Sequence, residues 1–114
     1  MGKFVITTRK NGDVQFNLKA TNGQVILASQ GYKSMKSCLN GIASVKRNSV
    51  EDKRFERKVA KNGSPYFVLK ATNGQVIGQS EMYSSETACE NGIASVKKNA
   101  PEAEIVDETA QVEA

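Results

Sequence analysis

The chain repeats itself at a constant offset of 51 residues. Leu18–Ile26 (LKATNGQVI) recurs unchanged as Leu69–Ile77, and Asn40–Lys46 (NGIASVK) recurs as Asn91–Lys97. In a gapless alignment of the two copies, 25 of 40 positions are identical. A chain of 114 residues can bury one modest core, whereas two separate cores of about 50 residues each would be marginal. The duplication therefore predicts two tandem repeats that share one core in a single domain, residues 1–114.

The first copy opens with a pattern typical of three β-strands. Residues 3–9 are rich in β-branched and aromatic side chains, and residues 14–20 alternate between apolar and polar. Residues 24–29 are apolar on both sides, which indicates a central or covered strand. An Asn-Gly dipeptide separates each pair of strands. Because both of its residues tolerate positive φ, this dipeptide predicts tight hairpin turns.

A helix follows the third strand. Ser34 is a favourable N-cap, and the next apolar residues recur at helical spacing: Met35, Cys38, Ile42 and Val45. Gly41 interrupts this segment, and glycine costs about 1 kcal/mol in a helix interior. Either the helix breaks there or the glycine lets the helix approach the sheet closely. Because the apolar stripe continues in phase beyond Gly41, we favour one helix that ends near Asn48.

The second copy repeats this order and shares a strand with the first. Residues 54–60 align with both the first strand and the segment after the second helix. They are therefore expected to end repeat one (3–56) and to begin repeat two (54–108). The remaining predicted elements are strands at 65–71 and 75–80, a helix capped by Ser85, a last short strand at 103–109 and a frayed acidic tail at 109–114.

These elements predict an α+β fold of two β-β-β-α-β repeats. The last strand has no following copy and is expected to return to the first strand around Phe4. The result is one largely antiparallel sheet, with both helices on one face, a pseudo-two-fold axis and C-terminal strands exchanged between the repeats. Such closure needs no further repeats, so we expect a monomer.

The motifs of both copies resemble one family of bacterial proteins. The shared pattern is F-x-L-K-A-x-N-G-x-x-I, a Gly-Tyr or Met-Tyr pair, a serine cap and C-x-N-G-I-x-S-V-K-x-N-A-P. It resembles the YegP-like family, a domain of unknown function, over essentially the whole chain. The resemblance implies tandem copies, or two subunits of single-copy members, that share one sheet with exchanged C-terminal strands. The family carries no established activity or catalytic residues, so the resemblance assigns no function. The chain departs from the pattern at Ser49-Val50, which replaces Ala-Pro, and in the charged residues 51–58.

Charge is distributed unevenly along the chain. Residues 1–100 hold all 16 basic residues and 7 acidic ones, a net charge of +9, whereas residues 101–114 hold 5 acidic residues and no basic one. A basic body attracts nucleic acid or an acidic protein, and the acidic tail is expected to weaken that attraction by docking back. The N-terminal segment has no signal-peptide core and no run reaches the ~20 apolar residues of a membrane span. We expect a cytoplasmic protein with no membrane association.

An exposed sheet face is the main candidate site. Strand alternation predicts that Gln15, Asn17, Lys19, Tyr66 and Lys70 share it, and Arg57 is assigned to it as well. Lysines with an aromatic side chain on a sheet can bind single-stranded nucleic acid by phosphate contacts and stacking. The alternative is an ordinary solvated face. Lys19 and Lys70 have no evident packing role in either copy, so we expect a symmetric pair there.

Other candidate sites are weaker. Asn40 and Asn91 beside the helix glycines mark a possible binding notch, for which a local hydrogen bond is the alternative. Cys38 and Cys89 lie on the apolar helix stripes, which favours core thiols over a redox pair. The chain has no histidine and no phosphate-binding loop. The sequence therefore predicts a non-enzymatic binding or interaction module without cofactor or metal, with weak nucleic-acid binding as the alternative.

Overall fold

The computed structural model describes residues 2–109, which form seven β-strands and two α-helices. In chain order these are β1 (Lys3–Thr8), β2 (Val14–Lys19), β3 (Val25–Ala28), α1 (Met35–Asn48), β4 (Phe55–Val59), β5 (Pro65–Lys70), β6 (Val76–Gln79), α2 (Glu86–Asn99) and β7 (Glu104–Asp107). Short 3-10 turns precede β4 at Asp52–Arg54 and β7 at Ala100–Glu102. Of the tail that the sequence predicts to be frayed, only residue 109 belongs to the described range.

The strands form one sheet in the order β4-β5-β6-β3-β2-β1-β7. All neighbours pair antiparallel except β1 and β7, which are parallel. Ala28 of β3 lies opposite Gln79 of β6, and these two residues are 51 positions apart. A residue that pairs with its own repeat equivalent lies beside the symmetry axis. The pseudo-two-fold axis therefore passes between β3 and β6, as the duplicated sequence predicts.

The Asn-Gly turns close differently from the expected hairpins. Only the glycines have positive φ, for example 87° at Gly23, and no other described residue does. The Asn22 side chain instead accepts a hydrogen bond from the Gln24 backbone N–H at 3.0 Å. Backbone bonds from Gly23 N to Ala20 O and from Ala20 N to Gln24 O complete the loop. The expectation of positive φ at both residues is wrong, because the asparagine acts through its side chain.

Both helices begin and continue as predicted. Ser34 Oγ accepts a hydrogen bond from the Ser37 backbone N–H, and Ser85 Oγ accepts one from the Ala88 N–H, each at 3.1 Å. α1 runs unbroken through Gly41. A Cβ at this position would overlap the Tyr32 hydroxyl group. The glycine therefore permits close packing of the helix on the tyrosine, and the same arrangement recurs in repeat two.

The two repeats share one core. Both helices pack on the same face of the sheet, and each also contacts a strand of the other repeat, α1 with β6 and α2 with β3. One cluster of buried side chains includes members of both repeats, among them Phe4, Phe16, Leu27, Ile42, Phe55, Phe67, Leu69 and Ile93. Leu27 contacts Gly78 across the axis, at a place where a Cβ on Gly78 would overlap the leucine. Neither repeat can therefore bury its apolar surface alone.

The strand that follows each helix lies in the other half of the sheet. β4 follows α1 but pairs with β5, and β7 follows α2 but pairs with β1. The exchange is unequal at the two ends. β7 pairs with the outer edge of β1. β4, in contrast, is itself the first strand of repeat two, so it cannot also cover that strand's outer edge. Within residues 2–109, the sheet therefore ends at β4 without the outer strand that β1 has.

Candidate functional site

The sheet face opposite the helices, here called the open face, carries most of the predicted site residues. Leu18 and Leu69 are fully buried under the helices, so the adjacent Lys19 and Lys70 point the other way. Strand pairing places further residues on the same face: Lys3, Val5, Thr7, Gln15, Asn17, Glu56, Lys58, Tyr66 and Val68. No described element crosses this face. The structure thus brings five of the six predicted residues to one surface.

Lys19 and Lys70 are related by the pseudo-two-fold axis but have different surroundings. Lys70 Nζ forms an ion pair with Glu56 at 2.5 Å, and this lysine holds the pKa of Glu56 below its usual value. The repeat equivalent of Glu56 is Val5, and Lys19 has Lys3 as its cross-strand neighbour. The positive charge of Lys70 is therefore compensated, whereas Lys19 has a second lysine beside it, and Lys3 is in turn the neighbour of Glu104 in β7.

The two lysines also lie far apart. The order of the strands places three strand spacings of about 4.8 Å between β2 and β5. The antiparallel directions of these strands put Lys19 and Lys70 at opposite ends, about four residues apart along the strands. Together these offsets separate the two positions by roughly 20 Å. The predicted symmetric pair exists, but its members cannot contact one small ligand together.

The aromatic residue of the open face lies at the same end of the sheet as Lys19. Tyr66 is half-buried and is the cross-strand neighbour of Lys58. Its repeat equivalent is Gln15, which faces Thr7. One end of the face thus presents Lys58 and Tyr66 on β4 and β5, and Lys19 and Lys3 on β2 and β1, with three strand spacings of about 4.8 Å between the two pairs. The other end has no aromatic side chain among the described residues.

Arg57 does not lie on the open face, so its assignment to that face is wrong. It has the same strand parity as Phe55, which is buried beneath α2. Its Nε and Nη2 donate to the two Glu90 carboxylate oxygens at 2.8 and 2.9 Å. Nη2 also lies 3.1 Å from Asp52 Oδ1. Arg57 therefore joins β4 to α2 and to the turn that precedes β4.

This ion cluster was missed because its members are distant in the sequence. Lys97 Nζ lies 2.7 Å from the same Asp52 oxygen. Hydrogen bonds from Arg57 and Lys97 lower the pKa of Asp52 to about 2. Glu90, through its bond from Arg57, also has a lowered pKa. The charged run at residues 51–58 was the available signal, and its role here is to hold the edge strand to the helix.

The candidate notch at Asn91 opens onto repeat one. Asn91 is exposed and lines a depression of about 360 Å³ between α2 and the β2–β3 turn. Asn22, Ser95 and Lys98 line it as well. Asn40 is likewise exposed on α1. The floor of this region is wide and open, and its polar groups do not converge on one point.

Two other asparagines have a structural role that the sequence reasoning missed. Asn48 and Asn99 are buried, and each donates from Nδ2 to a backbone carbonyl four residues earlier, at 2.8 Å. Each also lies 3.2 Å from the hydroxyl group of that residue, Ser44 or Ser95. The sequence could have indicated this role, because both the serine and the asparagine four residues later recur in both copies. These bonds explain the repeated serines without any catalytic role.

The cysteines are buried free thiols in the core. Burial raises the pKa of both Cys38 and Cys89. A thiol with a raised pKa is a poor nucleophile at neutral pH. No group of three or more acidic or cysteine side chains within residues 2–109 is arranged to hold a metal ion. In the same range, no helix is both long and apolar enough to span a bilayer.

These features define a tandem-repeat α+β protein with one shared sheet. A profile for a domain of unknown function, DUF1508, matches residues 10–56 and again residues 60–107. The chain belongs to this family, whose full-length members are called UPF0339 or YegP proteins. It is 51% identical to a UPF0339 protein of Pseudomonas aeruginosa, over 94% of this chain and 97% of that one. It is 56% identical to the YegP protein of Yersinia pestis, over 87% and 88% of the two chains.

Solved structures of relatives have the same fold. The solution structure of a UPF0339 protein of Shewanella oneidensis superposes with a TM-score of 0.91 at 45% identity and covers 96% of this chain and 93% of its own. The solution structure of YegP from E. coli, described as a protein of unknown function, gives a TM-score of 0.90 at 45% identity. It covers 95% of this chain and 93% of its own. The predicted family and fold are confirmed, and these relatives carry no enzyme name.

Proposed function

We propose that the protein is a non-enzymatic binding module of the cytoplasm whose open face contacts an anionic partner. The observation that carries the proposal is the contrast between the two faces of the sheet. One face is filled by both helices and the shared core, whereas the open face carries Lys58 next to Tyr66, with Lys19 and Lys3 at the same end of the sheet but three and four strand spacings from Tyr66. The unpaired thiols of Cys38 and Cys89 accord with a reducing compartment.

The perturbed side chains of the described structure have structural explanations, which supports a non-enzymatic role. The pKa values of Asp52, Glu56 and Glu90 are lowered by surface ion pairs, and that of Asp107 is lowered by hydrogen bonds from Thr109. The raised pKa values of Tyr32 and Tyr83 follow mainly from burial against the helix glycines. A turnover assay that yields an activity abolished by one substitution in a surface depression would refute this part of the proposal.

Single-stranded nucleic acid is the second candidate partner. The favouring observation is that Tyr66 and three lysines lie at one end of the open face, where a base can stack while phosphates contact the ammonium groups. Lys70 is excluded because it lies at the opposite end of the face and pairs closely with Glu56, whereas Lys58 lies 3.8 Å from the same carboxylate and beside Tyr66. The predicted binding is weak and depends on salt, because it rests on a few phosphate contacts.

A titration with paired variants tests this function. A labelled oligonucleotide of about 12 residues is titrated at low and near-physiological salt, while amide shifts are followed by NMR. Lys19→Glu is expected to weaken binding about fivefold at low salt and to reduce the salt dependence. Lys36→Glu makes the same charge change on exposed α1 and is expected to have a much smaller effect. Equal effects of the two variants, or no amide shifts in β1, β2 or β5, would contradict the nucleic-acid function.

A further inference from the structure

The two ends of the sheet are unequal, although the repeats that form them are closely similar. β1 is paired on one side by β2 and on the other by β7. β4, which corresponds to β1 at the 51-residue offset, is paired only by β5 among the described strands. One chain thus has two equivalent strand edges and a single β7 to cover them.

The covered edge shows which backbone groups an added strand would meet. Glu108 N donates to Ile6 O at 2.9 Å, so the backbone groups of Ile6 face β7. Alternate residues of a strand direct their backbone groups to the same neighbour. The equivalent residue in β4 is Arg57, and its backbone N–H and C=O therefore face the open edge. Val59 continues this set and is 70% exposed.

A surface groove lies beside the open edge of β4. It occupies the position that β7 occupies beside β1 in the other half of the sheet. It has a volume of about 280 Å³ and is lined by Val59, Pro65 and Cys89 together with two basic and two acidic residues, Arg57, Lys58, Glu86 and Glu90. In repeat one, Asp107 of β7 lies close enough to Cys38 for its charge to act on the thiol. The corresponding space beside Cys89 is the groove. Phe55 N–H donates to Asp52 O, and Phe55 O accepts from Arg57 Nη1 at 3.5 Å. The unpaired backbone groups of the open edge are therefore those of Arg57 and Val59, beside a groove with room for side chains.

Charge indicates which strand the open edge would accept. In the β1–β7 register, Glu104 pairs with Lys3 and Asp107 pairs with Ile6. The equivalent positions on the β4 side are Arg54 and Arg57. A β7-like segment would therefore place one acidic residue beside Arg54 and the other beside Arg57, whose guanidinium group already binds Glu90 and Asp52. Arg54 Nε is buried and has no hydrogen-bond acceptor among the described residues.

The same charges disfavour pairing between two β4 edges. The sequence Phe55–Val59 carries two basic residues and one acidic residue, and Arg54 precedes it. Like charges that face each other across strands are destabilising, and basic residues on edge strands oppose self-association. An acidic strand does not meet this barrier. The edge is thus selective by charge.

We propose that the open edge of β4 is a peptide-binding site that adds an extended segment of a partner protein as an eighth, parallel strand. The segment has the chemistry of β7, with acidic residues before and after an apolar pair. Backbone hydrogen bonds to Arg57 supply affinity, and Arg54 favours the acidic residue that precedes the apolar pair. β4 is five residues long, or about 17 Å, which gives the site a length of five to six residues. The site is separate from the open face and does not depend on the function proposed for that face.

A synthetic peptide tests the site without altering the protein. The probe is residues 102–109 (EAEIVDET), acetylated, amidated and fluorescently labelled, and it is titrated into the full chain. We expect saturable binding with a Kd below about 1 mM. The amide shifts and the gain in exchange protection should centre on Arg57 to Val59. Lys19→Glu protein should bind the probe equally well, since the open face does not take part.

Backbone methylation of the probe provides matched controls. N-methylation at Glu108 removes the donor that bonds Ile6 O in the native ladder, and it should weaken binding about tenfold. N-methylation at Asp107, whose N–H points away from the pairing strand, should change binding less than about twofold. A neutral probe (QAQIVNQT) should bind several-fold more weakly at low salt.

Three results would overturn the proposal. One is the absence of saturable binding at low salt, which would mean that the edge of β4 does not accept an added strand. Another is a set of shifts confined to β1, which would mean that the probe only displaces β7. The third is a dimer in light scattering with protected β4 amides before any probe is added, because a second copy of the chain would then occupy the edge.

Discussion

At the scale of single residues, glycine and tyrosine set the distance between helix and sheet. Gly92 of α2 faces Tyr83, and a Cβ there would overlap the tyrosine hydroxyl group and approach Phe67 to 3.2 Å. Tyr83 stacks on Phe67 with ring centroids 6.2 Å apart, so it cannot move without disturbing the core. The helix propensity lost by using glycine is therefore offset by packing.

Gly92→Ala is expected to destabilise the protein by about 1–2 kcal/mol. The gain in helix propensity of about 1 kcal/mol is smaller than the strain of overpacking, which is typically about 1–3 kcal/mol and here includes displacement of an aromatic ring. The free energy of unfolding, measured in urea, checks this. Asn91→Ala is the matched control at the adjacent exposed position and should be neutral or slightly stabilising. Similar changes in the free energy of unfolding at both positions would mean that a Cβ close to Tyr83 does not destabilise the protein.

At the scale of elements, an ion cluster ties the edge strand β4 to α2. Arg57 bridges Glu90 and Asp52, and Lys97 contacts Asp52 from the last turn of the helix. The aliphatic part of Lys97 brings its ammonium group to 5.8 Å from the centre of the Phe55 ring. In repeat one, Lys46 lies over Phe4 in the same way, at 5.9 Å. The cation–aromatic contact is thus common to both repeats, and the carboxylates are specific to the uncovered edge.

Asp52→Asn is expected to remove part of the acid sensitivity of the protein. The pKa of Asp52 is lowered to about 2 in the folded chain, from 3.8, by Arg57 and Lys97. A lowered folded-state pKa stabilises the protein above pH 4, and this contribution is lost as the pH falls towards 2. The stability difference between wild type and variant should therefore be largest near pH 6 and shrink towards pH 2.

Urea unfolding of both proteins at a series of pH values measures that difference. High salt is the control, because it screens exposed ion pairs and should reduce the difference at pH 6. A difference that stays constant from pH 6 to pH 2 would show that the aspartate acts through packing rather than charge.

At the scale of the whole molecule, the shared core makes the two repeats one folding unit. Leu27 is fully buried and lies against Gly78 of the other repeat beside the pseudo-two-fold axis. Each helix also rests on a strand of the other repeat. A cooperative unit of this kind unfolds in one transition. Cys38 and Cys89 provide a buried reporter in each repeat.

Both thiols are expected to become reactive at the same urea concentration. Leu27→Ala should lower the stability by about 2–5 kcal/mol and shift both labelling midpoints equally, although the substitution lies in repeat one. Mass spectrometry of the labelled peptides separates the two sites. Separate midpoints would show that the repeats unfold independently. Rapid labelling of either thiol in the native protein would instead support the redox hypothesis.

Much of the fold could be predicted from local patterns, because the helix and strand periods are visible in sequence. The serine caps, the turns, the helix through Gly41 and the exchange of strands after each helix were all predicted. Residues 55, 57 and 59 share one strand face, so strand alternation alone would have placed Arg57 on the helix side with Phe55. It was assigned to the open face because of its positive charge, and that assignment is wrong. The candidate site was predicted less well, because the environments of Lys19 and Lys70 depend on neighbours in other strands.

The sequence by itself determined that two copies form one pseudo-symmetric sheet, since neither copy has enough apolar surface to fold alone. Only the tertiary structure decided how the symmetry is broken. Lys70 gains a carboxylate partner where Lys19 has a second lysine. β1 has the outer strand that the sequence predicted, and no described strand covers β4. The reason is that β4 belongs to both repeats, so the chain has two equivalent strand edges and only β7 to pair with one of them. Which edge stays unpaired becomes visible only in the complete sheet.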